Sequence, residues 1–335
     1  MGRSALALLL CLGMLALAAT GEGVGATGQR QFRVGFVVGA GDTPDRSQLF
    51  GLPYDGFIRA VNAFDLEGRV LKVAPNQDPQ AALTFLARQK YDLVITGVPD
   101  AWSVAAVAPK YPDTKFLLSD FPRQALLQAV PRVPNNVQGT VFRAQEAGYL
   151  AGYLAALMEK RRPGRDVVGS VGGYKHPGVD RWIVGFQAGA RKATPGITTL
   201  NTYARSFSNP EKCRAVALDQ IAKGAGAIFN VAGGCGFGAL EAAKEKGVWG
   251  VGVDVDQSYL GPHILTSAVI RLDVPVYAAI RRLVKGTFTT GGNTVGDLRS
   301  GGVRLGNVSP RVPRSVLRQV DDVRREIIAG KIDVP

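Results

Sequence analysis

The sequence predicts an α/β fold of two similar lobes, each built on a parallel sheet covered by helices. The chain has 335 residues, about twice the length of a typical domain. Apolar β-rich runs alternate with Ala-rich amphipathic runs, and the pattern of the first half returns in the second half. With 46% hydrophobic and 20% charged residues, the composition excludes a mostly disordered chain and a polytopic membrane protein.

Short apolar runs bounded by Gly or Asp are typical of strands buried on both faces of a sheet. The predicted strands are 33–38, 70–73, 92–96, 115–119, 137–141, 167–171, 198–203, 227–231 and 250–253. The runs between them predict crossover helices at 55–64, 79–90, 102–108, 144–160, 179–193, 210–223, 236–246 and 274–285. The Gly-rich stretch 286–302 predicts turns or a hairpin, and a last helix is expected near 315–329.

Three pairs of landmarks recur at nearly constant spacing, which favours two lobes of the same design. Their offsets lie between 129 and 136 residues, and the pairs are Gly56 with Gly185, Gly97 with Gly233, and Asp120 with Asp254. Parallel sheets bind ligands beyond the carboxyl ends of their strands. Both Asp residues follow apolar strands, so we expect both lobes to face one cleft with these ends.

The N-terminus has the pattern of an export signal. An uncharged run at 5–19 follows Arg3 and ends in small residues, as in a cleavable signal peptide. We predict a signal peptide over residues 1–28 and an exported protein, periplasmic or associated with the cell surface. The alternatives are lipid attachment at Cys11 and an uncleaved N-terminal anchor.

Charge and composition exclude several classes of function. Lys and Arg total 40 against 27 Asp and Glu, a formal charge of +13, but the basic residues are scattered and do not cluster with aromatic residues. This pattern favours a solvated surface over a nucleic-acid interface. Two His and three Cys exclude a zinc finger, a multi-His metal site and a disulfide-dense scaffold. We expect no metal, no cofactor and no nucleic-acid partner.

The residues that carry catalytic chemistry are sparse. His176 lies in a Gly/Pro/Lys loop and His263 follows Pro262. The sequence contains neither a Gly-x-Ser-x-Gly elbow nor a GxxxxGK[ST] loop. The pattern therefore favours a binding protein that closes two lobes on a solute. A hydrolase or transferase that acts in the same cleft is the alternative.

Cys213 and Cys235 are predicted to form a disulfide. Cys213 lies in the first turn of a helix that begins at the carboxyl edge of the second sheet, and Cys235 follows a strand that returns to that edge. Export to an oxidising compartment favours their pairing. The alternative is a pair of free buried thiols.

Several stretches together resemble the basic membrane protein family of ABC-transporter solute-binding proteins, which includes purine nucleoside receptor lipoproteins. The most specific are FRAQEAGYLAG at 142–152, the VAGG-x-G block from Val231 and the GVDxDQ block from Gly252. The other matching stretches are 111–120, 185–189, 206–213 and 265–277. The resemblance extends over about residues 32–335.

The resemblance implies a type I periplasmic-binding-protein fold, with two Rossmann-like lobes joined by three crossings. We place the N-terminal lobe at 32–142 plus about 264–290 and the C-terminal lobe at 143–263 plus about 291–335. The implied function is to bind a solute, a purine nucleoside above all, by clamshell closure and without turnover. The implied partners are the membrane permease subunits of an ABC importer, and we expect a monomer.

The family's ligand site can be transferred residue by residue. Asp254 matches the carboxylate that holds the ribose, and Asp120 matches a cleft carboxylate that contacts the base. Phe207 matches an aromatic residue that stacks on the purine, and Gly233 and Gly234 let the backbone approach the ligand.

Two departures from the family pattern affect the ligand. The first loop, which includes Asp45 and Phe50, has an added residue and lacks the Asn that binds the base, so Phe50 is the candidate for the first stacking aromatic. Ile270 stands where the family has a ribose-binding Lys, with Arg271 as the candidate replacement. Other ribose-bearing or aromatic solutes therefore remain alternatives. A transcriptional regulator on this fold is disfavoured, because the export signal occupies the place of a DNA-binding helix-turn-helix.

Overall fold

The structure is a computed structural model that describes residues 31–39, 51–74, 77–97, 100–164 and 166–335. The chain divides into two units, Met1–Gln31 and Phe32–Pro335, and the description below concerns the second unit. The predicted signal peptide, Asp45 and Phe50 lie outside the described residues. Within the described ranges, no helix is long and apolar enough to cross a membrane.

Strands and helices alternate along most of the chain from Arg33 onwards. In chain order they are β1 (Arg33–Val38), α1 (Leu52–Phe64), β2 (Glu67–Lys72), α2 (Pro79–Arg88), β3 (Leu93–Thr96), α3 (Ala101–Val107), β4 (Lys115–Leu118), β5 (Val137–Phe142), α4 (Ala144–Glu159), β6 (Val167–Gly172), α5 (Pro177–Ala193), β7 (Thr198–Tyr203), α6 (Pro210–Ala222), β8 (Ala227–Val231), α7 (Gly236–Glu245), β9 (Trp249–Asp254), β10 (Ile264–Ile270), α8 (Asp273–Val284), β11 (Asn293–Gly296), β12 (Val303–Leu305) and α9 (Arg314–Ile328).

The strands form two six-stranded sheets of matching order, which confirms the predicted α/β class. The first sheet has the order β11-β5-β4-β3-β1-β2, and all its pairings are parallel. The second has the order β12-β10-β9-β8-β6-β7, and only β12 pairs antiparallel, with β10. We call the first sheet with α1, α2, α3 and α8 the first lobe, and the second sheet with the other helices the second lobe. Most strand residues are buried, as expected for sheets covered on both faces.

The structure corrects the sequence analysis in the last quarter of the chain. The segment Ile264–Ile270 was assigned to the N-terminal lobe, but it pairs with β9 as a strand of the second sheet. The 286–302 stretch does not form a hairpin, because β11 pairs with β5 in the first sheet and β12 pairs with β10 in the second. Thr266 and Ser267 interrupt the apolar run of β10, which hid this strand from pattern reasoning. Both are buried, and the Ser267 hydroxyl accepts a hydrogen bond from the backbone N–H of Gln257 at 3.0 Å.

The chain crosses between the sheets three times, after β5, after β10 and after β11. Backbone hydrogen bonds link these crossings: Arg143 N–H donates to Gly296 O, and Arg271 N–H donates to Gly302 O, each at 2.8 Å. The buried Glu146 carboxylate accepts from Leu298 N–H at 2.8 Å and pairs with Arg143 at 2.9 Å. The three crossings therefore form one connected strip between the two sheets.

The helices α4 and α5 pack with their backbones in close contact, because glycines on both helices face the partner. A Cβ atom at Gly152 would lie 1.9 Å from Phe186 O, and one at Gly189 would lie 2.0 Å from Tyr149 O. A Cβ at Gly148 or Gly185 would also lie within 2.5 Å of a backbone oxygen of the other helix. Residues of both helices belong to the largest of the hydrophobic core clusters, which also includes the strand-end residues Phe142, Val231 and Val253 beside the cleft.

Candidate functional site

A cavity of about 1040 Å³ lies where the carboxyl ends of the two sheets face each other. Its walls come from both lobes: Asp120 and Phe142 from the first, and Phe207, Gly233 and Asp254 from the second. The position is the one expected for parallel sheets, whose ligands bind beyond the strand ends. The volume is sufficient for a drug-sized small molecule.

Asp120 and Asp254 reach this cavity from the same backbone conformation at the end of a strand. Asp120 lies two residues after the end of β4 and Asp254 ends β9, and these two strands occupy equivalent places in their sheets. Both have positive φ, 53° and 66°, a left-handed conformation that Asp tolerates better than most residues. At Asp254 the turn is a strained γ-turn, in which Val255 N–H donates to Val253 O at 2.7 Å. The turn directs each carboxyl out of its sheet and into the cavity.

Burial in the cavity wall favours the protonated form of both acids. Burial, and to a smaller extent the Asp254 charge, raise the pKa of Asp120 to about 7 against the opposing effect of the Arg181 charge. Burial alone raises the pKa of Asp254 to about 6. Burial deprives these carboxyls of hydrogen bonds from water. A solute with hydrogen-bond donors would supply such bonds when it binds.

Phe207 presents an exposed aromatic ring to the same cavity. Its side chain is 47% exposed, and the Tyr174 ring packs against it with centroids 5.3 Å apart. Gly233, with φ of 55°, and Gly234 approach so closely that a Cβ at either would lie 3.3 Å from Phe207 O. Of the three predicted residues, Phe207 and Gly233 line the cavity, and Gly234 lies behind them against the Phe207 carbonyl.

The disulfide predicted between Cys213 and Cys235 is present, with Cα atoms 5.5 Å apart. Both half-cystines are fully buried. Cys235 N–H donates to Phe207 O at 3.0 Å, so the bridge links the first turn of α6 to the loop that presents Phe207. The disulfide thus holds two segments of the cavity wall together.

The structure does not bring Arg271 into the cavity wall, whereas Ile270 lines it. The Arg271 guanidinium donates two hydrogen bonds of 2.7 Å to the buried Asp273 carboxylate. This pairing raises the pKa of Arg271. Arg59 of α1 donates to the same carboxylate at 2.6 Å. Arg271 therefore ties the second crossing to α8, and the cavity position beside it is apolar.

Sequence reasoning missed several residues of the wall. Arg181 and the N-cap residue His176 of α5 line the cavity, and both are exposed. Tyr259 and Phe237, 64% and 41% exposed, add further aromatic surface. Helical periodicity marks Arg181 as a solvent-facing residue, and only the arrangement of the lobes shows that this face borders the cleft. Among the residues that the structure describes, no group of three His, Cys, Asp or Glu could hold a metal ion.

Comparisons with known proteins agree with this geometry. A model of the family described as "ABC transporter substrate-binding protein PnrA-like" matches residues 53–335. Basic membrane protein B of Borrelia garinii subsp. bavariensis is 34% identical over 209 residues, which cover 61% of this chain and only 58% of that relative. A CD4+ T-cell-stimulating antigen of Listeria monocytogenes is 27% identical over 329 residues, covering 91% of this chain and 88% of that relative.

Solved structures share the fold at low sequence identity. A transcriptional activator of the comK gene from Bacillus halodurans has a TM-score of 0.74 and 20% identity, covering 90% of this chain and 99% of that one. An ABC transporter solute-binding protein from Conexibacter woesei has a TM-score of 0.71 and 23% identity, covering 91% of this chain and 98% of that one. These likenesses show the fold alone.

Proposed function

Because this chain belongs to the family of PnrA-like ABC transporter substrate-binding proteins, we propose that its cleft binds a purine nucleoside and delivers it to an importer. The observation that carries the proposal is the cavity that joins Asp120 of one lobe to Asp254 and Phe207 of the other. Two carboxyls beside exposed aromatic rings suit a solute that has hydrogen-bond donors and a flat ring.

Each of the three residues has a role in this proposal. The Asp254 carboxylate accepts hydrogen bonds from the 2′- and 3′-hydroxyls of the ribose, and its charge strengthens them. The Asp120 carboxyl contacts the edge of the purine ring. Phe207 stacks on the ring face, since every nucleobase has a π-face that an aromatic side chain can cover.

The connected crossings support a clamshell mechanism. Solute binding would draw the two lobes together about the strip formed by the three crossings, as in other two-lobed binding proteins. Closure excludes water from the two carboxyls and strengthens their bonds to the solute. We further propose that the protein acts outside the cytoplasm, as a monomer, and docks on membrane permease subunits of its transporter.

Another aromatic or ribose-bearing solute is the second candidate. Ile270 lines the cavity where the family resemblance places a Lys, and Arg271 beside it is held by Asp273. A ribose would thus meet the Asp254 carboxylate and an apolar neighbour. A solute with fewer polar groups at that end would fit this wall as well.

Native mass spectrometry of gently purified protein is the decisive experiment, since closed clefts retain their solute. We expect an added mass that matches a purine nucleoside. Thermal-shift measurements against nucleosides, nucleobases, sugars and amino acids form the second arm, because a ligand at a hundredfold excess over its Kd stabilises the native state by about 2.7 kcal/mol.

A stabilising sugar or amino acid, with no response to any nucleoside, would contradict the nucleoside assignment and leave solute binding intact. Recovery of free base and ribose after long incubation would contradict binding without turnover. The protein unfolded and refolded to remove retained solute serves as the reference state in both arms.

A further inference from the structure

Arg181 is the charged residue of the cavity wall that the proposed function leaves unused. It lies in the second turn of α5, in the second lobe, and its guanidinium extends to the first lobe, where it donates to Phe142 O at 3.3 Å. A second bond, to Pro177 O, is also 3.3 Å long. Neither partner is charged, and none of the ion pairs among the described residues includes Arg181.

Asp120 and Arg181 meet at the same part of the wall. Phe142 ends β5, and β5 is the neighbour of β4, which Asp120 follows. Asp120 N–H donates to Thr140 of β5 at 2.7 Å, two residues before Phe142. The Arg181 charge acts directly on the ionisation of Asp120. An acceptor from the first lobe and a donor from the second therefore line the same cavity wall.

The two side chains have fixed and opposite hydrogen-bonding characters. An ionised carboxylate only accepts hydrogen bonds, and a guanidinium only donates them. A 6-oxopurine has a donor, N1–H, next to an acceptor, O6. Adenine has an acceptor, N1, next to a donor, the 6-amino group, so its pattern is reversed.

We propose that Asp120 and Arg181 act as a paired acceptor and donor that selects 6-oxopurine nucleosides, such as inosine and guanosine, over adenosine; this inference rests on the proposed nucleoside function. Asp120 accepts from N1–H, and Arg181 donates to O6. With adenosine, the Arg181 donors face the donors of the amino group, and both are left unpaired in a closed cleft.

Protonation of Asp120 gives the selection a pH dependence. The titratable side chains that share the described cavity wall with Asp120 are His176, Arg181, Asp254 and Tyr259. Because the pKa of Asp120 is raised to about 7, its carboxyl is largely protonated at pH 6 and ionised at pH 8. A protonated carboxyl can donate to N1 of adenine, whereas the ionised one cannot. The preference for inosine therefore increases from pH 6 to pH 8.

Calorimetric titration with inosine and adenosine tests the proposal, since these ligands differ only at position 6 and at the N1 proton. We expect inosine to bind about ten- to a hundredfold more tightly than adenosine at pH 8, the range that one well-placed pair of base contacts gives. In Arg181→Gln the preference should be lost, because an amide can donate or accept. Arg191→Gln is the matched control, since Arg191 lies on the same helix and bonds to Thr199 at 2.6 Å, outside the cavity.

The possible failures are separable. Equal affinities, or tighter adenosine binding, would overturn the selection and leave the nucleoside function standing. An unchanged preference in Arg181→Gln would remove Arg181 from the selection. Binding of neither nucleoside would overturn the proposed function together with this inference. Circular dichroism checks folding, and if Arg181→Gln does not fold, the wild-type preference and its rise from pH 6 to pH 8 decide the question.

Discussion

Asp120 and Asp254 occupy equivalent strand ends of the two sheets, both in left-handed backbone conformations, and the charge of Asp254 raises the pKa of Asp120 across the cavity. Neither turn contains a Gly at this position, although Gly would adopt such φ values without strain. Backbone strain of this kind concentrates at functional sites, where the surrounding structure maintains it. Each of the two similar lobes thus presents one carboxyl to the cleft from a residue whose backbone is strained.

The ligand-free protein should lose stability relative to Asp120→Asn as the pH rises from 5 to 8. An Asp in the unfolded chain has a pKa near 4. The folded protein, with the pKa of Asp120 about 7, binds more protons than the unfolded chain between these values, so the free energy of unfolding falls as pH rises. The contribution is on the order of 1–2 kcal/mol, because solvent in the open cleft screens it. Urea unfolding of both proteins at four pH values measures the difference, and parallel profiles would contradict the prediction.

Asp254→Asn should weaken nucleoside binding by about 2–5 kcal/mol, the typical loss when one partner of a desolvated charged contact is removed. Asn also tolerates positive φ, so the change tests the charge and leaves the turn intact. Asp65→Asn is the control, because Asp65 has φ of 49° and lies outside the cavity wall. Calorimetry that finds equal affinities for Asp254→Asn and the wild type would remove Asp254 from the site.

Phe207→Ala should weaken binding by about 1–3 kcal/mol, the range measured for loss of one base-stacking contact. Phe85→Ala is a matched control, since Phe85 is 39% exposed and packs on Arg69 away from the cavity. Titration with inosine measures both variants. Equal losses in the two would show that the effect does not come from stacking on the ligand.

The sequence allowed prediction of the alternating elements and of both cleft carboxyls, because these depend on local patterns. Strand periodicity places Asp254 at the end of β9 without knowledge of any distant contact. The strand β10 was missed because its Thr266 and Ser267 are polar, and their burial depends on partners supplied by Gln257 and by the chain after β12. Arg181 was missed for a related reason, since its role arises from contact with Phe142 of the other lobe.

Replacing both half-cystines with Ala should lower the free energy of unfolding by roughly 3 kcal/mol, the value that the loop-entropy model gives for a separation of 22 residues. The change should also weaken solute binding, because the bridge fixes the segment whose Cys235 backbone N–H donates to Phe207 O, and without it this part of the cavity wall is less constrained. Urea unfolding and calorimetry of the double variant measure the two effects. Peptide mapping without reductant is the prior check, and two alkylated thiols would contradict the disulfide itself.

Gly152→Ala should destabilise the second lobe, although helix propensity alone predicts the opposite. Within an exposed helix, replacing Gly with Ala stabilises by about 1 kcal/mol. Here the added Cβ would lie 1.9 Å from the Phe186 carbonyl oxygen, a backbone atom that cannot rotate away. Separating α4 from α5 would disturb the core cluster beneath the cavity, and overpacking of this kind costs typically 1–3 kcal/mol.

The matched control for this change is Gly292→Ala, since a Cβ at Gly292 meets no atom within 4 Å. Thermal unfolding of the two variants separates the effect of the clash from the effect of the methyl group. We expect a lower Tm for Gly152→Ala and a Tm close to wild type for Gly292→Ala. A Gly152→Ala protein as stable as the wild type would show that α4 and α5 can separate without loss of packing, and that the close contact does not anchor the lobe.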